Sequence, residues 1–119
     1  MELTYEDSAE GIRLIRLTGR MDVEGTHDID LKFTSVASCQ KLFVLVDMSA
    51  VEFLSSLGLG TLVRSAKAQM SRTGMLVLFS PRPAVARVLE ATQIDQIVPV
   101  FYDLDEARRA LAPNAVRSV

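Results

Sequence analysis

The chain has 119 residues, of which 49% are apolar, and carries 13 lysines and arginines against 15 aspartates and glutamates. That length fits one domain with a real core and leaves no room for a second, while the apolar share excludes a disordered chain. A net charge of −2 gives no general attraction to nucleic acid or to an anionic membrane, so neither is expected as a partner.

The opening MELTYEDSAEG is acidic and lacks the basic end and apolar stretch of a signal peptide, so a cytoplasmic location is expected. Residues 2–6 read as a short strand. After Gly11, Ile12-Arg13-Leu14-Ile15-Arg16-Leu17 nearly alternates, as in a strand with one wetter face, and Gly19 is expected to close it. From Glu24 to about Ser38 the apolar residues Ile29, Phe33, Val36 and Ala37 fall at helical spacing. Cys39, the only cysteine, has no internal disulfide partner and is expected at a helix end.

Leu42–Val46 is a continuous apolar run, read as a buried strand that ends at Asp47 and leads through a short loop to Ser55-Ser56. Leu59, Leu62, Val63, Ala66 and Met70 then line the inner face of a helix that Gly74 terminates. Met75–Phe79 is a second buried strand. Ser80, Pro81 and Pro83 mark the next helix entry, and Val85, Val88, Leu89 and Thr92 give that helix its inner face. Ile97–Phe101 reads as a last short strand, and Pro99 places it at a sheet edge or a strand end.

Asp103 followed by Glu106 resembles a capping box for a final helix through Leu111, and residues 112–119 are expected to form a loose tail. No segment approaches the roughly 20 apolar residues needed to span a bilayer. The alternation gives about five strands and four helices. The predicted fold class is therefore a single α/β domain over residues 1–119, with a core at about 3–111. Its sheet is mixed and mostly parallel, covered by the helices.

The chemistry-bearing residues point away from catalysis. The lone His27 has no evident nucleophile to serve, and one His and one Cys fit none of the usual zinc spacings. Gly58-Leu59-Gly60 begins like a dinucleotide fingerprint, but Val63 stands where its third glycine belongs. Asp47 ends an apolar run as a phosphoacceptor aspartate would, yet the acidic pair and the lysine that such a site needs are missing. An aspartate bonding the following turn is the better account. Ser55-Ser56 remains. A hydroxyl at a helix start faces free N–H groups and the positive end of the helix dipole, a place that suits a cap, a bound anion or a covalent phosphate.

Three segments together resemble the STAS domain, the fold of bacterial anti-sigma-factor antagonists. Leu17-Thr18-Gly19-Arg20-Met21-Asp22 is similar to the family's L-x-G-[ED]-[LI]-D. Val46 to Gly60, VDMSAVEFLSSLGLG, is similar to [LV]-D-[LM]-S-x-V-x-[FY]-[IML]-D-S-[ST]-G-[LI]-G. Gly74–Phe79 followed by Val85–Leu89 resembles the strand and helix that come next. The likeness runs from about Leu3 to Leu111, and its central motif is fairly specific. Within that central motif two positions depart from the pattern: Ser55 replaces an aspartate and Leu57 replaces a serine or threonine.

The resemblance implies a binding switch with no cofactor and no enzymatic activity of its own. A serine kinase that is also the anti-sigma factor would phosphorylate Ser56, with Ser55 as the alternative, and a phosphatase would reverse it. The unmodified form would hold the anti-sigma factor and so regulate sigma-factor-dependent transcription. The partner-binding residues implied are Asp22, Ser55, Ser56, Leu57, Gly58 and Gly60. The two glycines fit a helix entry left open to a partner, and Asp22 fits either a partner contact or a cap for the first helix. A different class of function, an accessory subunit docking unmodified to a transporter ATPase or a signalling complex, would use the same loop.

Overall fold

A computed structural model of the chain describes residues 1–112. Strands β1 (Glu2–Asp7) and β2 (Ile12–Met21) form an antiparallel hairpin whose turn is closed by Gly11 N–H donating to the Ser8 carbonyl at 3.1 Å. The remaining strands, β3 (Phe43–Leu54), β4 (Met75–Phe79) and β5 (Val100–Phe101), add in sequence order and run parallel to β2. The sheet is thus mixed and mostly parallel, as expected. β5 is an edge strand, as Pro99 foretold.

Helices α1 (Val23–Ser38), α2 (Ser56–Ser71) and α3 (Pro83–Ala91) make the three crossovers, and α4 (Leu104–Leu111) follows the last strand. Right-handed crossovers that all step in one direction place their helices on one face of a sheet. The packing agrees. Phe33, Leu62 and Leu89, from the three crossover helices, share a core with Ile15, Leu17, Val44, Val46, Leu76 and Leu78. Ala107 and Leu111 of α4 pack with Ile12, Leu45 and Val77, whose side chains alternate to the opposite face. The tail expected over 112–119 lies, from Pro113 onward, outside the described residues.

Several boundaries differ from expectation. β2 does not close at Gly19. That residue adopts φ +118° inside the strand, a value glycine tolerates, and the strand continues to Met21. β3 likewise runs past Asp47 to Leu54 instead of giving way to a loop. Between the pairs Arg16–Asp47 and Thr18–Ala50, and again between Gly19–Val51 and Arg20–Phe53, β3 carries one residue more than β2. These two bulges break the period-2 pattern that would have announced the strand. At the first bulge the Asp47 carboxylate accepts the Ser49 N–H at 2.9 Å, so it does bond the local turn, but within a strand. β5 keeps only Val100–Phe101, because the Ile97 and Val98 N–H groups both turn back to the Ile94 carbonyl, each at 2.9 Å, at the end of a 3-10 helix over Ile94–Gln96.

Two inner-face assignments also fail. Met70 is 62% exposed, whereas its neighbour Gln69 is fully buried. Thr92 is exposed at the end of α3, where its hydroxyl donates back to the Val88 carbonyl at 2.7 Å. Cys39 is exposed at the end of α1, as expected. Asp103 accepts N–H bonds from Asp105 at 2.8 Å and Glu106 at 3.2 Å, so it caps α4 as its spacing implied.

Candidate functional site at the ends of β2 and β3

β2 and β3 lie side by side, pair Met21 with Leu54 at their last residues, and each passes directly into a helix. The carboxyl ends of parallel strands are where open α/β sheets gather their binding residues. Here that end carries two caps. Asp22 precedes α1, and its carboxylate accepts the Gly25 N–H at 2.8 Å. Ser55 precedes α2, and its hydroxyl accepts the Gly58 N–H at 3.2 Å. Each satisfies a donor that the helix start would otherwise leave unpaired.

Ser55 is fixed from both sides. Its hydroxyl donates to the Met21 carbonyl at 2.7 Å, and its own N–H reaches the same carbonyl at 2.9 Å. It therefore sews the end of β2 to the start of α2, and its oxygen is committed to two hydrogen bonds. Ser56 occupies the first position of α2 and is exposed. A cap role for Ser56 is excluded, because Ser55 fills it.

Around Ser56 the surface is partly apolar. Leu57 is 38% exposed and Phe53 42%. The Arg20 guanidinium lies 4.8 Å from the Phe53 ring centroid, and its Nε is 3.6 Å from Asp22 Oδ2. Arg20 thus bridges the aromatic ring and the capping carboxylate. The sequence offered Arg20 and Phe53 only as motif positions. Their contact depends on the register of the second bulge, which no linear pattern reveals.

The two glycines have separate reasons. Gly58 is buried, and a Cβ there would stand 2.7 Å from Met21 Cγ and 3.1 Å from Leu54 Cδ1. The expectation that its missing side chain makes room for a partner is corrected: the space is filled by the last residues of β2 and β3. Gly60 is partly exposed, and a Cβ there would lie 3.2 Å from Arg64 Nη1. The chain's own arginine covers it.

The STAS domain family model matches residues 7–107. The chain belongs to the STAS domain family. A Thermotoga neapolitana protein bearing the name of an anti-sigma factor antagonist is 38% identical over 64 residues, 54% of this chain and 57% of that protein. The chain thus spans little more than half the length of that relative. An anti-sigma factor antagonist from Mycobacterium paratuberculosis shares the fold with a TM-score of 0.81 at 26% identity, over 92% of both chains. The Bacillus cell fate determinant SpoIIAA in its phosphorylated form aligns with a TM-score of 0.64 at 17% identity, over 92% of this chain and 98% of that one. At that identity the likeness is one of fold.

In this STAS domain the departure at Ser55 has a physical account. Aspartate and serine are both strong N-cap residues, so exchanging one for the other keeps the hydrogen bond to the first turn and removes a charge beside Ser56. Leu57, the other departure, replaces a hydroxyl with a partly exposed apolar side chain at the helix entry.

Proposed function

We propose that this STAS domain is a cytoplasmic, non-catalytic anti-sigma-factor antagonist that binds an anti-sigma-factor serine kinase and is switched off by phosphorylation of Ser56. The observation that carries this reading is the division of labour between adjacent hydroxyls. Ser55 is held by two hydrogen bonds, whereas Ser56 is exposed one residue later on the same turn. The names carried by the Thermotoga and Mycobacterium relatives support the antagonist class.

The kinase supplies the chemistry. Ser56 Oγ forms a bond to the γ-phosphorus of ATP, the bond to ADP breaks, and the hydroxyl proton passes to a base on the kinase. A phosphatase restores the hydroxyl with water. The phosphate brings about −1.5 to −2 charges to the helix start, where the dipole favours an anion by about 0.3–1 kcal/mol. Modification therefore leaves the fold standing and acts at the surface, putting a bulky anion where Asp22, Ser56 and Leu57 meet the partner, beside the Arg64-covered Gly60. Ser55 and Gly58 serve that surface from beneath.

The test is to incubate the purified chain with its candidate kinase and ATP. A mass gain of one phosphate at Ser56, none in Ser56→Ala, and at least a tenfold loss of kinase binding in Ser56→Asp are expected. No mass gain at Ser55 or Ser56, with binding unchanged in Ser56→Asp, removes the switch and leaves an unmodified docking subunit.

A further inference from the structure

Asp30, Thr61 and Arg64 form a polar cluster across the seam between α1 and α2. The Thr61 hydroxyl lies 3.1 Å from Asp30 Oδ1, to which it can donate, and accepts a hydrogen bond from Arg64 Nη2 at 3.3 Å. The same Nη2 stands 3.8 Å from Asp30 Oδ1. Arg64 is folded back along α2, so that Nη1 covers the bare position of Gly60. Ser56, Gly60 and Arg64 follow one another at four-residue intervals, so Gly60 neighbours both of the others along the helix, while Ser56 and Arg64 stand about 12 Å apart along its axis. The guanidinium has therefore already been carried one turn toward Ser56, leaving about 6 Å of helix between Gly60 and Ser56. Side chains on a helix lean toward its N-terminus, which is the direction needed.

We propose that Arg64 is the intramolecular partner of a phosphate on Ser56 and leaves Asp30 to bind it. The proposal rests on Ser56 as the modified residue. Asp30 offers Arg64 one partly exposed carboxylate at the long end of ion-pair range, and such pairs are weak. A phosphoserine offers three strong acceptor oxygens and more charge, in a geometry that the guanidinium fork matches. Gly60 keeps the path between them clear. When Arg64 moves, Thr61 and Asp30 lose a partner, so the phosphate is felt at the seam with α1 as well as at its own surface.

Phosphoserine can be placed at position 56 during translation, which makes the test independent of any kinase. Phosphorus-31 NMR then follows the second ionisation of the phosphate, which ordinarily lies near 6, and nitrogen-15 NMR follows the Arg64 Nε–H signal. At low ionic strength the phosphate is expected to ionise about 0.3–0.7 pH unit lower than in Arg64→Gln. Arg64→Lys should recover part of the difference. Asp30→Asn, which frees Arg64, should lower the ionisation further, and the Nε–H signal should shift on modification. Identical titrations in parent and Arg64→Gln, with an unmoved Arg64 signal, overturn the pairing even if a kinase is found to modify Ser56. A chain that no kinase modifies would defeat the switch and leave this measurement standing.

Discussion

Two adjacent serines differ here in what their oxygens do, and that difference is measurable as stability. Ser55→Ala removes the cap and the tie to Met21, and should cost about 0.5–2 kcal/mol. Ser56→Ala removes an exposed hydroxyl and should stay within about 0.5 kcal/mol of the parent. Urea unfolding of both variants decides it; equal losses would mean that the helix starts one residue later. The glycines make a second pair. Gly58→Ala forces a methyl against Met21 and Leu54, and overpacking of this kind should outweigh the gain in helix propensity, for a net loss of roughly 1–2 kcal/mol. Gly60→Ala meets only the end of an arginine side chain, and should be neutral or stabilising by up to about 1 kcal/mol. At this scale the sequence located the helix entry but not the cap. A shift of one residue depends on where β3 ends, and its two bulges hide that.

At the scale of the element, α2 shows how a hydrophobic pattern can nominate the wrong residue. Met70 is apolar and suitably spaced, yet it points to solvent while the Gln69 side chain is enclosed. The reason lies in neighbouring backbone. The Gln69 amide accepts the Leu42 N–H at 2.9 Å and donates to the carbonyls of Ala37 at 2.6 Å and Gln40 at 2.8 Å. The last carbonyls of a helix have no partner within it. Gln69 therefore joins the end of α1, the entry to β3 and its own helix, a role that composition cannot announce. Gln69→Leu would keep the bulk and strip all three bonds, leaving buried groups unpaired. A loss of about 2–4 kcal/mol is expected, against less than about 0.5 kcal/mol for Met70→Gln. Comparable effects from the two would show that the amide network is not what holds this junction.

For the whole molecule, the alternation of apolar runs with amphipathic stretches sufficed to give the α/β layering, because each run is long enough to be a buried strand. What it could not give is how the antiparallel hairpin is fastened to the layers. Arg13 does this. Its Nε and Nη2 donate to the two Asp7 oxygens at 2.7 and 3.0 Å, its Nη1 donates to the Val36 carbonyl near the end of α1 at 3.0 Å, and its guanidinium lies 4.8 Å from the Tyr5 ring centroid. The hydrogen bonds from Arg13 hold the Asp7 carboxyl below its ordinary value; desolvation pulls the other way, and the Arg13 charge adds a smaller push downward. The sign follows. A carboxyl whose folded value is depressed contributes stability that is complete above its unfolded value, near 3.9, and is lost as pH falls through the folded value. Asp7 is largely exposed, so the contribution is screened and should stay below about 1 kcal/mol. Asp7→Asn should thus lower the melting temperature slightly at neutral pH and converge with the parent as pH falls through the depressed folded value, and added salt should shrink the difference. A gap that persists undiminished in acid would assign the loss to packing at the hairpin rather than to the ion pair.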